Sequence, residues 1–201
     1  MPRLLAFDTS GPACRLAVTR GGDVLAMAEE AMAKGQAERL MPLVAELLAR
    51  AGLGLNQLDA LAVGIGPGNF TGIRLSVAAA RGLALSLGIP AIGVSALEAA
   101  VEEAPRPALA CLDARRGAVY VQRFGDGATL PALIEDPATL PAHLPRYGDG
   151  PGALPPPLPM ALAMARIAAR RLDAPVARPA PLYIRAADAA PSRDPAPVIL
   201  P

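Results

Sequence analysis

At 201 residues the chain is long enough to bury the core of one sizeable domain, or of two small ones that share an interface. A formal net charge of +1 gives the isolated chain no electrostatic grip on nucleic acid, and with no Trp, three Phe and three Tyr it has little aromatic surface on which bases could stack. The hydrophobic fraction of 53%, mainly Ala, Leu and Val, does not imply a membrane span, because the longest apolar run, 75–87, is interrupted by Arg81 and falls short of the roughly 20 residues a bilayer requires.

Met1-Pro2-Arg3 leads directly into a strand-like run with no apolar leader or cleavage site, so a cytoplasmic location is expected. Leu4-Leu5-Ala6-Phe7 ends in Asp8-Thr9-Ser10-Gly11, residues 14–19 alternate as a second strand, and Gly21-Gly22-Asp23 turns the chain into a third, 24–27, which makes a β-meander. Cys14 and Cys111 each fall in a strand-like run and read as separate buried thiols. The Asp8-Thr9-Ser10 end brings a carboxylate and two hydroxyls to a strand terminus. A Mg²⁺–phosphate site uses such a group, and so does an ordinary Asp-capped turn, which is slightly favoured.

Over 36–51 apolar residues fall at Leu40, Leu43, Val44, Leu47 and Leu48, the spacing of one helical face, and Gly52 stops it. Pro42 implies a helix that starts there or kinks there. A polar connection, 56–59, then leads into the strand Ala60-Leu61-Ala62-Val63-Gly64-Ile65, which delivers the chain to Gly66-Pro67-Gly68-Asn69-Phe70-Thr71-Gly72-Ile73-Arg74 and a following helix.

This glycine loop organises the rest of the chain. Gly66 and Gly68 allow positive φ and close backbone approach, while Pro67 stiffens the turn. A helix beginning at Phe70 or Thr71 places unpaired N–H groups there, with Arg74 one turn on, where an anion or a partner's carbonyls would fit. The same residue types equally make a tight strand-to-helix connection with Thr71 as its cap. Neither G-x-x-x-x-G-K nor G-x-G-x-x-G can be written, since the only lysine is Lys34 and the glycine spacing is wrong. The helix after the loop carries Ser76, Ala78, Ala79, Ala80, Gly82, Ala84 and Ser86, small enough for another helix to approach closely.

A strand at 91–94 is followed by Ser95, read as a helix cap with Glu98 completing a capping box. The polar, Pro-broken stretch 102–107 reads as a hinge. A second strand-Asp-turn-strand unit follows: 108–113 ending in Asp113, then Ala114-Arg115-Arg116-Gly117, then 118–124, which suggests a duplication. Prolines keep the elements short beyond Gly125, until a helix at 160–172. Arg166, Arg170, Arg171 and Arg178 form the one basic concentration and read as a solvated helix face. Pro181-Leu182-Tyr183-Ile184-Arg185 precedes a tail, 186–201, expected to be disordered.

Taken together, Leu5-Ala6-Phe7-Asp8-Thr9-Ser10, the glycine loop, Ile92-Gly93-Val94-Ser95, Leu112-Asp113-Ala114-Arg115-Arg116-Gly117-Ala118-Val119-Tyr120 and Pro181-Leu182-Tyr183-Ile184-Arg185 resemble the TsaB (YeaZ) family. The resemblance implies an α/β fold of the actin, Hsp70 and sugar-kinase type, with two RNase H-like subdomains of mixed sheets flanked by helices. They are placed at 1–104 and, shortened, at 105–185. It also implies a scaffold role in adding threonylcarbamoyl to adenosine 37 of tRNAs reading ANN codons. The partners would be a catalytic TsaD-type paralogue and a TsaE-type ATPase, and tRNA would be met only through the complex.

The paralogue's His-x-x-x-His metal motif falls where this chain has Ser95-Ala96-Leu97-Glu98-Ala99, and the sole histidine is His143, so no metal site and no catalytic residue is assigned. No cofactor is expected in the chain itself, with ATP or ADP conceivable only at the interface with the partner. The helices at 36–51 and 71–87 are expected to form that interface, and a homodimer in its absence, through Leu40, Leu43, Val44, Leu47, Ser76, Ala79, Ala80, Arg81 and Leu83. Gly66, Gly68, Phe70, Thr71, Gly72 and Arg74, with Asp8 and Asp113, are the candidate nucleotide contacts. The alternative is an independent kinase or ATPase in which Asp8 and Asp113 flank a Mg²⁺-nucleotide. A peptidase is disfavoured, because the chain has neither H-E-x-x-H nor G-x-S-x-G.

Overall fold

A computed structural model describes residues 1–185 apart from Asp126 and Ala128, so the tail expected to be disordered lies outside the described residues. The first sheet opens as the expected meander: β1 (Arg3–Asp8), β2 (Ala13–Arg20) and β3 (Asp23–Ala31) pair antiparallel. α1 (Gln36–Arg50) leads to β4 (Ala60–Gly64), and α2 (Phe70–Leu87) to β5 (Ala91–Val94). Both strands run parallel to β1, giving the order β3-β2-β1-β4-β5. The third strand is longer than expected because Glu29 and Glu30 blunt its apolar alternation, while Arg15 opposite Glu29 in register supplies a cross-strand ion pair.

Central strands read as unbroken apolar runs because both faces of the sheet are covered. Leu5, Phe7, Leu16, Leu61 and Val63 meet Leu40, Leu43, Val44 and Leu47 of α1, and Ala80 of α2 packs on the same cluster. Helix α1 runs through Pro42 rather than starting there, since Pro42 and Glu38, whose carbonyl loses its helical donor, both lie on the exposed side. By length and composition α2 could cross a bilayer, the sole described helix to do so. Gly72, Ile73, Ser76, Val77 and Ala80 are nevertheless buried within the molecule.

After the short helix α3 (Ala96–Ala100) comes the second sheet: β6 (Ala108–Asp113), β7 (Val119–Phe124), β8 (Ala132–Ile134) and β9 (Arg146–Gly148), ordered β8-β7-β6-β9 with β9 parallel to β6. Each sheet is therefore a three-strand meander with a parallel strand on the far side of its first strand. The repeated strand-Asp-turn-strand unit corresponds to β1–β2 and β6–β7.

The last described helix, α4 (Met160–Arg171), does not stay with the second half. Ala161, Met164, Ala165, Ile167 and Ala168 pack against Leu4, Ala6, Ala62, Ile92 and Val94 of the first sheet, so a unit drawn as 105–185 cuts through the first core. Small side chains on α4 let it lie close to the strands. Three ion pairs fix its outer side: Arg166 with Glu103, Arg170 with Glu102 and Arg171 with Glu98. Three of the arginines read as a solvated face do reach solvent, and each has a carboxylate partner there. One expectation is corrected. The capping box is not formed: Ser95 Oγ accepts from Leu97 N–H at 3.2 Å while the Glu98 carboxylate turns to Arg171.

Arg170 grips Glu102 through two hydrogen bonds, of 2.6 and 2.8 Å. The carboxylate holds the guanidinium pKa above its ordinary value. Glu102 is buried and Arg170 is exposed, so the two truncations should differ. Arg170→Ala strands a buried carboxylate and should cost about 2 kcal/mol, whereas Glu102→Ala frees an arginine to water and should cost about 1 kcal/mol. Urea denaturation of both variants checks the order, and equal losses would contradict it.

Cys14 and Cys111 are both free and buried, and burial pushes both thiols above the usual range, with Glu30 reinforcing the effect at Cys14.

Candidate functional site

The glycine loop is a seam between α2 and the end of β1. A Cβ on Gly72 would lie 1.9 Å from the Thr9 carbonyl oxygen, and one on Gly68 would lie 2.5 Å from that of Ser10, so only glycine lets the two backbones meet. Asn69 N–H donates to Ser10 O at 2.7 Å. Thr9 N–H donates to Ser76 Oγ at 2.9 Å and Thr9 Oγ1 to the Gly72 carbonyl at 2.7 Å. With its one hydroxyl proton committed to Gly72, Thr9 must accept from Ser76 across the 2.7 Å contact between the two oxygens.

The cap of α2 is Asn69, not Thr71. Its Oδ1 accepts from Thr71 N–H at 3.0 Å, and Thr71 itself is exposed. The Thr71 N–H, one of the donors expected to face an anion, thus has an internal partner. Thr9, one of the two hydroxyls brought to the end of β1 as candidates for a phosphate, is instead fully buried and links β1 to α2 through partners more than sixty positions away.

Asp8 and Asp113 do come together on one cleft of about 1060 Å³ between the two sheets. Asp8 is 1% exposed; its Oδ1 accepts Ser10 N–H at 3.1 Å and its Oδ2 lies 3.7 Å from Arg15. Asp113 is exposed, accepts from Arg115 N–H at 2.9 Å, and its own N–H donates to Asp149 Oδ1 at 2.8 Å. Phe70, Ile73, Leu112, Leu158 and Met160 form the apolar walls. Among the described residues no three His, Cys, Asp or Glu side chains gather closely enough to hold a metal ion. His143 is exposed on the connection between β8 and β9.

Residues 181–185 close the site. Leu182 N–H donates to Ile65 O at 2.8 Å, the Tyr183 ring lies 4.9 Å from that of Phe70, and the Tyr183 hydroxyl accepts from Arg74 Nε at 2.9 Å. The Arg74 guanidinium sits 3.7 Å above the Phe70 ring, and Arg185 Nη1 reaches the Ala114 carbonyl at 3.0 Å. Three motifs that sequence order keeps far apart therefore meet in one place.

The expected interface set needs correction. Leu40, Leu43, Val44, Leu47, Ser76 and Ala80 are 0–3% exposed because they are core and seam residues. Ala79 and Leu83 are half-buried against the first core, and Arg81 alone of the set is exposed. The free face of α2 is instead Arg74, Ala78, Arg81, Gly82 and Leu85, one helical stripe whose Leu85 is 85% exposed.

Paired sheets of this strand order, facing one another across a cleft with an aspartate at the end of each first strand, define a protein of the actin, Hsp70 and sugar-kinase fold class. The family model described as TsaD, tRNA N6-adenosine threonylcarbamoyltransferase, matches residues 28–144. The tRNA threonylcarbamoyladenosine biosynthesis protein TsaB of Haemophilus influenzae is 42% identical over 122 residues, covering 58% of this chain and 51% of that protein. The Escherichia coli protein of the same name is 41% identical over 123 residues, covering 59% and 53%. YeaZ from Pseudomonas aeruginosa superposes with a TM-score of 0.75 at 29% identity, covering 91% of this chain and 100% of that one. The chain belongs to the TsaB (YeaZ) family. Its matched stretch spans about half the length of these curated relatives.

Proposed function

We propose that this chain is a non-catalytic, cytoplasmic subunit of the assembly that adds threonylcarbamoyl to adenosine 37 of tRNAs reading ANN codons. The observation that carries the reading is the exposed stripe of α2 in a chain of this family, whose positions Ala78, Arg81, Gly82 and Leu85 face solvent and end on the apolar side chain of the last. A TsaD-type catalytic paralogue docks along it, and a second copy of the chain takes its place when the paralogue is absent. A TsaE-type ATPase and tRNA join through the assembled complex, and ATP or ADP binds at the interface between subunits. Expected on mixing purified chain with the paralogue is a heterodimer by light scattering at micromolar concentration; two species that elute separately would refute the docking.

A second reading, an independent kinase or ATPase, is favoured by Asp8 and Asp113 on one cleft. It requires ATP turnover by the lone chain that is lost in Asp113→Asn. The internal partners of the Asn69 and Thr71 N–H groups weigh against it, because phosphoryl transfer needs such donors free for the phosphates.

A further inference from the structure

Residues 181–185 are a strap across the cleft with one end on each half. On the first half its fastenings are the Leu182 hydrogen bond to Ile65 and the Phe70–Arg74–Tyr183 stack. On the second, Arg185 holds the Ala114 carbonyl in the Asp113–Gly117 turn, and Ile184 packs on the second-sheet cluster. The strap also lines the cleft through Leu182, Tyr183, Ile184 and Arg185, so its position bears on the width of the space between Asp8 and Asp113.

The two ends are not equally secure. Ala114 is buried, whereas Tyr183 is 43% exposed and Arg74 lies on the surface. The Arg74–Tyr183 hydrogen bond and the ring stack, at a wet site, can open without disturbing either core, leaving the Leu182–Ile65 bond as the strap's remaining hold on the first half. Arg74 is in addition the first member of the exposed α2 stripe, one turn before Ala78. The residue that holds the strap therefore stands where a partner lying on that stripe would meet it.

We propose that the Arg74–Tyr183 stack is a latch: it holds the cleft at its present width in the free chain, and a partner docked along α2 releases it by drawing Arg74 away from Tyr183. The coupling half of this proposal rests on the docking reading above, while the latch itself does not. A two-state element biased by differential contact at Arg74 is all that the coupling requires.

The test places spin labels at Asn56→Cys on the first half and Glu135→Cys on the second, both exposed, and measures the distance between them by double electron–electron resonance. Expected for the free chain is a narrow distribution that shifts to longer distances in Tyr183→Ala and in Arg74→Ala. Tyr183→Phe, which keeps the ring and loses the hydroxyl, should shift less. Unchanged distributions in both alanine variants, with intact circular dichroism, would overturn the latch. Adding the catalytic paralogue should move the unsubstituted chain toward the Tyr183→Ala distribution and leave Tyr183→Ala itself unmoved. A paralogue that binds without moving the labels overturns the coupling and spares the docking. A paralogue that does not bind overturns the docking, and with it the coupling, while the free-chain result still decides the latch.

Discussion

Gly72→Ala should destabilise the protein by about 3 kcal/mol or more, against the direction that helix propensity alone would give. In an exposed helix interior, alanine is better than glycine by about 1 kcal/mol. At position 72 the new methyl would stand 1.9 Å from the Thr9 carbonyl oxygen, a backbone atom that cannot rotate aside. Relief requires α2 to lift from β1, which stretches the Thr9–Ser76 and Thr9–Gly72 hydrogen bonds together with the Asn69–Ser10 bond. Against a total stability of roughly 5–15 kcal/mol such a loss leaves a large unfolded fraction on mild warming. The same substitution nearly three turns further along α2 gives the control. Gly82 has no heavy atom within 4 Å of its would-be Cβ, so Gly82→Ala should gain up to about 1 kcal/mol. Chemical denaturation of the pair reads the contrast directly, and a neutral Gly72→Ala would mean that the seam is not as tight as drawn.

The second large effect concerns assembly rather than folding. Gly82→Arg with Leu85→Glu places two charged side chains on the exposed stripe of α2 and should weaken association with the catalytic paralogue by at least 100-fold, about 2.7 kcal/mol. The melting temperature should stay where it is, because neither position touches the core: Gly82 faces open space and Leu85 is 85% exposed. Leu47→Ala separates the two kinds of loss. Leu47 is fully buried against the first sheet, so that variant should lose about 2–5 kcal/mol of stability while its folded fraction binds as well as the parent. Undiminished binding by the doubly charged variant would remove α2 from the interface.

Periodicity identified α1 and the meander correctly, and the glycine loop pointed to the strand-to-helix junction, because those signals are local: i, i+3, i+4 spacing, alternation, and turn residues. What periodicity could not supply was which surface each apolar stripe meets. Leu40, Leu43, Val44 and Leu47 were placed at an interface, yet such a stripe is equally the inner face of a helix lying on a sheet, and the sheet is where they go. The capping box failed for a related reason. Ser95 and Glu98 have the right spacing, but Arg171, more than seventy residues away, competes for the carboxylate. Short strands such as β8 and β9 carry too few alternations to stand out from a proline-rich stretch. The strap at 181–185 has no local signature at all, since its meaning lies in Phe70, Arg74 and Ala114. Asp8 and Asp113 were legible as candidates because each ends an apolar run. That they face one cleft follows from the duplicated strand order, which only the fold displays.

Since α4 is encoded after the entire second sheet yet covers Leu4, Ala6, Ala62 and Ile92 of the first, the amino-terminal half leaves the ribosome with one side of its sheet bare. That half cannot reach its final state until residues 160–171 have been synthesised. The protein should therefore mature in a single late cooperative step, and a nascent chain stalled before α4 presents the sort of sticky apolar sheet that chaperones hold.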